Sequence, residues 1–378
     1  MPLIKFYYVS LEFYQDILKQ IKTAEKSIYL EAYIFELFPL TKELIELLAM
    51  AQKKGLEVKV IFDGFGSISF LNKSNTYLEE MGINFRIFNP LFFPFKKWRN
   101  INYIFSFFKF LKIGNRRNHR KLCIIDDKTV FIGSQNWSLN HVISEKNLIP
   151  WQDIGCRIEN DNFSDLINSF KQIWQISQNK YHFRPFNGYV RVKNHNLQVN
   201  NFKLNFSFLQ RYKIYRFLLQ KIRSSKSSII IGSAYFIPKR SFIRALKKAK
   251  KRGIQVCIVT SGPTDVLMVK LAAVGLYEKL LKVGIPIYEY NRTHFHSKYF
   301  LFDNGSLIVG SYNMNHRSLL HDLEILYEIK DQYKINEFLE LTKLDMMNST
   351  LLSLESIKNR PWYVKLISKL LYRIRYIL

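Results

Sequence analysis

Two sets of six residues carry the chemistry that this chain can do. His119, Lys121, Asp126, Gly133, Ser134 and Asn136 stand in the spacing H-x-K-x4-D-x6-G-S-x-N. His296, Lys298, Asp303, Gly310, Ser311 and Asn313 repeat it. An imidazole can attack or pass a proton, an ammonium supplies fixed charge, and a hydroxyl and a carboxamide are neutral hydrogen-bonding groups. That set suits a phosphate ester. Six fixed positions matched twice make a specific motif. Duplication of an inert hairpin would explain two copies, but not a need for histidine and lysine in each.

Strand geometry predicts how the motif is held. Side chains alternate faces along a strand, so His119 and Lys121 share a direction, as do Ser134 with Asn136 on the return strand. The second copy repeats this with His296, Lys298, Ser311 and Asn313. Asp126 and Asp303, the third members of the catalytic motifs, have the opposite parity and fall at turns. Asp303-Asn304-Gly305 is a strong hairpin signal. The two aspartates are therefore expected to support the motif rather than touch phosphate. One copy makes half a site. If the halves pack with pseudo-twofold symmetry, one histidine can attack phosphorus while the other protonates the leaving oxygen, and two lysines neutralise developing charge. No acidic cluster shows metal-ligand spacing, so neither metal nor cofactor is expected. A nucleophilic imidazole needs its far nitrogen held by an acceptor. Asp153 and Glu324, one after each motif, are the candidates, and either could equally be a structural carboxylate.

The elements that must position these residues also come twice. SIYLEAYIF (27–35), LTKELIELLAMAQKKG (40–55) and LEVKVIFDG (56–64) read strand, helix, strand. SSIIIGSAYFI (227–237), RSFIRALKKAKKRG (240–253) and IQVCIVTSG (254–262) repeat that order. Such βαβ units predict an α/β fold with parallel strands under helices, duplicated as two mixed sheets. The expected divisions are 1–185, 186–355 and a basic amphipathic C-terminal helix at 356–378, with a polar divider at 177–201. The halves differ in one place. Gly55 and His119 are 64 positions apart and Gly253 and His296 are 43 apart, so the first half is longer there by about 21 residues. The excess falls near 89–118, where phenylalanines and Trp98 alternate with lysines and arginines.

Composition narrows the setting. The 378 residues are 48% hydrophobic and 23% charged, which suits a globular chain of two halves. Three cysteines in apolar runs, Cys123, Cys156 and Cys257, argue against a disulfide framework or a zinc site. No secretory h-region or membrane-length apolar run is evident. The net charge of +27 favours polyanionic partners, although Lys, Asn, Ile, Phe and Tyr together also reflect an A/T-biased coding sequence.

These residues resemble the phospholipase D superfamily with its two HKD motifs, and within it cardiolipin synthases. RNHRKLCIID at 117–126, YFIPKRSFIRALKKAKKRGIQV, LAAVGLYEKLLKVGIPIYEY and GSYNMNHRS carry the resemblance, over roughly residues 25–335. It implies a phospholipase D fold and a two-step phosphatidyl transfer. His119 would be the nucleophile and His296 the acid/base, and Lys121, Lys298, Asn136 and Asn313 would bind phosphate. The substrate would be phosphatidylglycerol at an anionic membrane, with no nucleic acid partner. Gln152 stands where arginine is expected and Asp322 where asparagine is expected. Many cardiolipin synthases carry transmembrane helices ahead of the catalytic region, whereas this chain starts almost directly in it. With no secretory h-region and no membrane-length apolar run, the expected location is peripheral, on the cytoplasmic face of the cell membrane. A membrane would be met by NRPWYVKLISKLLYRIRYIL, 359–378, where Lys365, Lys369 and Arg373 form a stripe beside Trp362, Leu366, Leu370 and Ile374. The alternative for that helix is packing on the domain. The 89–118 segment is a second candidate contact or a core-covering loop. Rival activities are a nuclease, a hydrolase releasing phosphatidic acid, and a binding module without catalysis.

Overall fold

The structure is a computed structural model that describes residues 1–90, 116–142, 149–177 and 201–376. Most of the 89–118 insertion and of the 177–201 divider lies outside the described residues. The chain forms two compact units. The first comprises residues 1–142, 155–200 and 321–325; the second comprises 143–154, 201–320 and 326–378.

The strands of the first unit are β1 (Leu3–Tyr7), β2 (Ser27–Ala32), β3 (Glu57–Asp63), β4 (Phe85–Phe88), β5 (Leu122–Ile125), β6 (Thr129–Gly133) and β7 (Gly155–Glu159). They form one sheet in the order β1-β7-β6-β5-β2-β3-β4. β2, β3 and β4 run parallel; β5, β6, β7 and β1 pair antiparallel. The parallel part follows from the βαβ unit. Helix Pro39–Lys53 crosses from β2 to β3 and turns Leu44, Leu47, Leu48 and Ala51 inward, as their helical spacing predicts. All six residues of β2 are buried, as expected of a strand covered on both faces.

The second sheet contains β8 (Phe202–Leu204), β9 (Ser228–Ser233), β10 (Gln255–Ser261), β11 (Ile287–Tyr290), β12 (Lys298–Phe302), β13 (Ser306–Gly310), β14 (Ile325–Ile329) and β15 (Ser349–Leu351). Its order, read from β8, is β8-β14-β13-β12-β9-β10-β11-β15. That is the first sheet's order with one strand added, so the duplicated sequence folds into duplicated sheets. Helix Arg240–Lys251 makes the crossover and buries Phe242, Leu246 and Ala249. No helix among the described residues is long and apolar enough to cross a membrane.

The motif hairpins are β5–β6 and β12–β13. Each closes through a tight turn with both central residues left-handed: Asp126 and Asp127 (φ 54° and 57°), then Asp303 and Asn304 (φ 54° and 50°). Lys128 N–H donates to Ile125 O, and Gly305 N–H to Phe302 O, each at 3.0 Å. The aspartate side chains then fasten each turn to the start of the neighbouring parallel strand. Asp126 accepts from the backbone N–H groups of Glu25, Lys26 and Ser27 at 2.7–3.2 Å. Asp303 accepts from those of Lys226, Ser227 and Ser228 at 2.8–3.1 Å. Partial burial pushes both carboxyls up, but the donated N–H bonds outweigh it and hold both below the ordinary value.

Asp126→Asn keeps a side chain that tolerates the left-handed turn but removes the charge from its hydrogen bonds. The expected cost is about 1 kcal/mol at pH 7. A carboxyl with a depressed pKa stabilises the fold above its unfolded value and loses that contribution as pH falls through the folded value. Denaturant titrations of wild type and variant should therefore differ at pH 7 and converge as the pH falls through the depressed value of the folded carboxyl. A difference that stays the same across the acid range would show that the charge is not what holds the turn.

Candidate active site

Each histidine motif is clamped twice by one adjoining extended segment. In the first unit His119 N–H donates to Leu323 O at 3.0 Å, and Leu323 N–H donates to Arg117 O at 2.8 Å. The next residue, Glu324, brings both carboxylate oxygens to 3.1 Å from His119 Nδ1. In the second unit His296 N–H donates to Gln152 O at 2.7 Å, and Gln152 N–H to His294 O at 2.8 Å. Here Asp153 follows, with Oδ1 2.8 Å from His296 Nδ1. Both carboxylates are fully buried. An ionised carboxylate only accepts, so each Nδ1 carries the proton and donates it. That leaves each Nε2 with its lone pair. The two sequence candidates thus each lie against a histidine Nδ1, but in crossed order. Glu324 follows the second motif and holds His119, whereas Asp153 follows the first and holds His296.

The other motif residues lie close by and are buried. Lys121 Nζ donates to His119 O at 2.7 Å and sits 4.8 Å from the centre of the Tyr33 ring, which itself meets His119 edge-on. Lys298 Nζ donates to His296 O. Ser134 and Ser311 are fully enclosed, each just beyond a motif strand. Asn136 Nδ2 lies 3.3 Å from His141 Nε2. The side-chain oxygens of Asn136 and Asn313 are buried with no hydrogen-bond partner among the described residues. Asp126 and Asp303, by contrast, spend their oxygens on backbone amides at the hairpin turns. Gln152, at the position where arginine was expected, uses its backbone for the clamp. Its Nε2 donates to Asp153 O at 3.2 Å. Asp322 is buried beside the other clamp residue.

The two half-sites differ behind the histidines. Strand pairing places Glu31 where the second unit has Gly232, since Ile28 faces Ile125 and Ile229 faces Phe302. In the first unit Asn118 Nδ2 donates to Glu31 at 2.8 Å. The Arg120 guanidinium stands 3.9 Å from Glu31 and donates to Ser169 Oγ at 2.9 Å. Asp63 accepts from the N–H groups of Phe65, Gly66 and Asn118, and Arg117 lies 3.5 Å from it. Burial pushes the Glu31 carboxyl up, with Arg120 and Asn118 opposing. Burial pushes Arg120 down, with the charges of Glu31 and Glu324 opposing. In the second unit Ser261 Oγ takes the Asp63 role, accepting Phe295 N–H at 2.9 Å. His294 replaces Arg117 and lies 3.2 Å from Ser261 Oγ. It is held neutral, at about 4, chiefly by burial. Its ring also packs 4.3 Å from that of Trp151.

The charged web of Glu31, Asp63, Arg117 and Arg120 was not picked out from the sequence. The available signal was charge inside apolar strand runs, as in YLEAYIF and VIFDG.

Comparison with known proteins agrees with this geometry. The family described as cardiolipin synthase, PLD-like domain matches residues 17–174 and 218–343. A cardiolipin synthase of Clostridium perfringens (strain SM101 / Type A) is 28% identical over 365 residues, covering 94% of this chain and 73% of its own. Cardiolipin synthase 1 of Staphylococcus aureus (strain COL) is 29% identical over 356 residues, covering 94% and 69%. Among solved structures, phosphatidylserine synthase of Haemophilus influenzae Rd KW20 shares the fold at 15% identity, with a TM-score of 0.70 over 99% of this chain and 95% of that one. The chain belongs to the cardiolipin synthase family of phospholipase D-like proteins, and it is an enzyme of the phosphatidyltransferase class.

Proposed function

We propose that the protein joins two phosphatidylglycerol molecules into cardiolipin and glycerol through a phosphatidyl-histidine intermediate. The observation that carries this reading is the pair of imidazoles, each held at Nδ1 by a buried carboxylate. Its relatives' activity supports the choice of lipid.

In the first step Nε2 of one histidine attacks phosphorus and a P–N bond forms. The P–O bond to the head glycerol breaks, and the other histidine, as imidazolium, gives that oxygen its proton. In the second step the now neutral acid/base histidine takes the proton from the head-group hydroxyl of a second phosphatidylglycerol. That oxygen attacks phosphorus, and the P–N electrons return to the nucleophilic imidazole. One phosphodiester replaces another, so no nucleotide is consumed. Lys121 and Lys298 supply fixed charge, while Ser134, Asn136, Ser311 and Asn313 offer neutral donors. The setting is the surface of an anionic membrane on its cytoplasmic side.

We assign the attack to His119 and the proton transfer to His296, because the two histidines stand before unequal carboxylates. The Arg120 charge reaches Glu324 and reduces what that carboxylate can offer a protonated His119. The position matching Arg120 in the second motif is Ser297, so Asp153 has no such counter-charge from it. On this assignment the Arg120 charge beside Glu324 disfavours a protonated His119, and Asp153 faces no matching charge from Ser297.

Two experiments test this. Purified protein is mixed with phosphatidylglycerol in EDTA, and lipid and glycerol are followed by mass spectrometry beside His119→Ala. Cardiolipin with glycerol from wild type alone is expected. Phosphatidic acid instead would mark a hydrolase, and unchanged lipid with cleaved nucleic acid a nuclease. The second experiment is kinetic. Glu324→Gln should slow turnover about 10²–10⁴-fold, because an amide can hold the wrong tautomer. Replacing the buried pair together, Glu31→Gln with Arg120→Gln, should move the acid limb of the rate profile to higher pH. Without the guanidinium, Glu324 stabilises the imidazolium more. An acid limb that stays in place, in a variant that folds, would remove the argument for His119 as nucleophile.

A further inference from the structure

The helix Trp362–Arg373 divides its residues into three arcs. Ser368 and Tyr372 are buried against helix Leu267–Leu281, with Val364 and Leu371 half-buried beside them. The approach is close: a Cβ at Gly275 would lie 2.5 Å from Ser368 O, and Lys279 Nζ is 5.2 Å from the centre of the Tyr372 ring. On the other side Trp362 is 74% exposed, and Tyr363, Leu366, Ile367 and Leu370 are 42–52% exposed. At 100° per residue this outward apolar arc spans about 140°. Lys365, Lys369 and Arg373 run along one border of it, and the helix contains no acidic residue. The packing alternative and the membrane alternative are thus not exclusive. The helix docks on the domain, but through its Ser368–Tyr372 side, and the Trp362, Leu366, Leu370 stripe is left facing out.

The patch continues onto the neighbouring helix. Gly275 meets Ser368 and Lys279 meets Tyr372, so the two helices run in the same direction. That puts exposed Val266, Leu267 and Met268 beside the residues just before Trp362. The Lys270 ammonium, disfavoured first by burial, also feels the Arg360 charge, which agrees with this placement.

We propose that this face, the outward arc of Trp362–Arg373 with the start of Leu267–Leu281, is where the protein docks on an anionic lipid bilayer. An apolar arc with an aromatic end and a basic border lies flat at a bilayer interface. There the side chains enter the acyl boundary and the cations meet lipid phosphates. A second copy presenting the same face would instead set Lys365, Lys369 and Arg373 against their like. The reading above explains why a membrane would be near, but the docking itself needs no turnover.

The test uses the full chain and co-sedimentation with vesicles of phosphatidylcholine, with and without phosphatidylglycerol. Wild type and His119→Ala should both bind the anionic vesicles, and bind pure phosphatidylcholine at least tenfold less. Leu366→Glu with Leu370→Glu changes two exposed positions. It should lose anionic-vesicle binding at least tenfold while keeping the wild-type melting temperature and wild-type turnover of phosphatidylglycerol in detergent micelles. Undiminished binding by the double variant would overturn the proposal. So would a wild-type dimer that the double variant dissociates while vesicle binding stays the same. If wild type binds vesicles yet turns over no phosphatidylglycerol in micelles, the reaction reading fails and the docking face stands.

Discussion

A carboxylate hydrogen-bonded to Nδ1 of an imidazole is the interaction on which the rest depends. It decides which ring nitrogen keeps a lone pair and which way the ring faces, and it stabilises the ring when protonated. Glu324 and Asp153 do this for His119 and His296, and neither could act from an exposed loop. Both are enclosed and delivered by short segments whose backbones are fastened to the motif strands on either side of the histidine. The hairpins, the turn aspartates and the parallel strands they grip all serve to hold the backbone of residues 117–121 and 294–298 still. A shift there would part the ring from its carboxylate.

Duplication supplied two such pairs, and buried charge then made them unlike. The first unit fills the space behind its histidine with Glu31, Asp63, Arg117 and Arg120. The second uses Gly232, Ser261, His294 and Ser297 at the matching places. Enclosed charges are costly unless mutually satisfied, so such a web is weak evidence of stability and better evidence of tuning. An arginine reaches the carboxylate of one histidine, and serine stands in its place at the other, so the two carboxylates have unlike surroundings. The proposed exchange would use that difference, since it has one ring attack while the other carries a proton.

The C-terminal helix shows how little a helical pattern says about which face is used. Its stripe of Trp362, Leu366 and Leu370 is the kind that normally turns inward. Here a glycine on the partner helix lets Ser368 approach closely, and that small contact with Tyr372 decides the orientation. The larger side chains are left outward with the basic border beside them.

Much of this was legible in the residues. The strand, helix, strand order and its repeat follow from hydrophobic periodicity, and the hairpin turns follow from Asp303-Asn304-Gly305. The twelve motif residues declare themselves by spacing, because each copy lies on one hairpin and local geometry sets the same intervals twice. Asp153 and Glu324 could be marked as carboxylates placed after each motif, but not matched to a histidine. His119 and Glu324 are 205 positions apart and His296 and Asp153 are 143 apart. No local rule spans such distances; only the bridge that brings residues 321–325 beside 117–119, and its counterpart at 152, settles the pairing. The same holds for Arg120. In sequence it is one more cation in a chain rich in them, and only burial between Glu31 and Glu324 gives its charge an effect, because water no longer screens it. Types and spacing therefore determined what chemistry the chain could do. The folded structure decided which carboxylate serves which imidazole, and how the two differ.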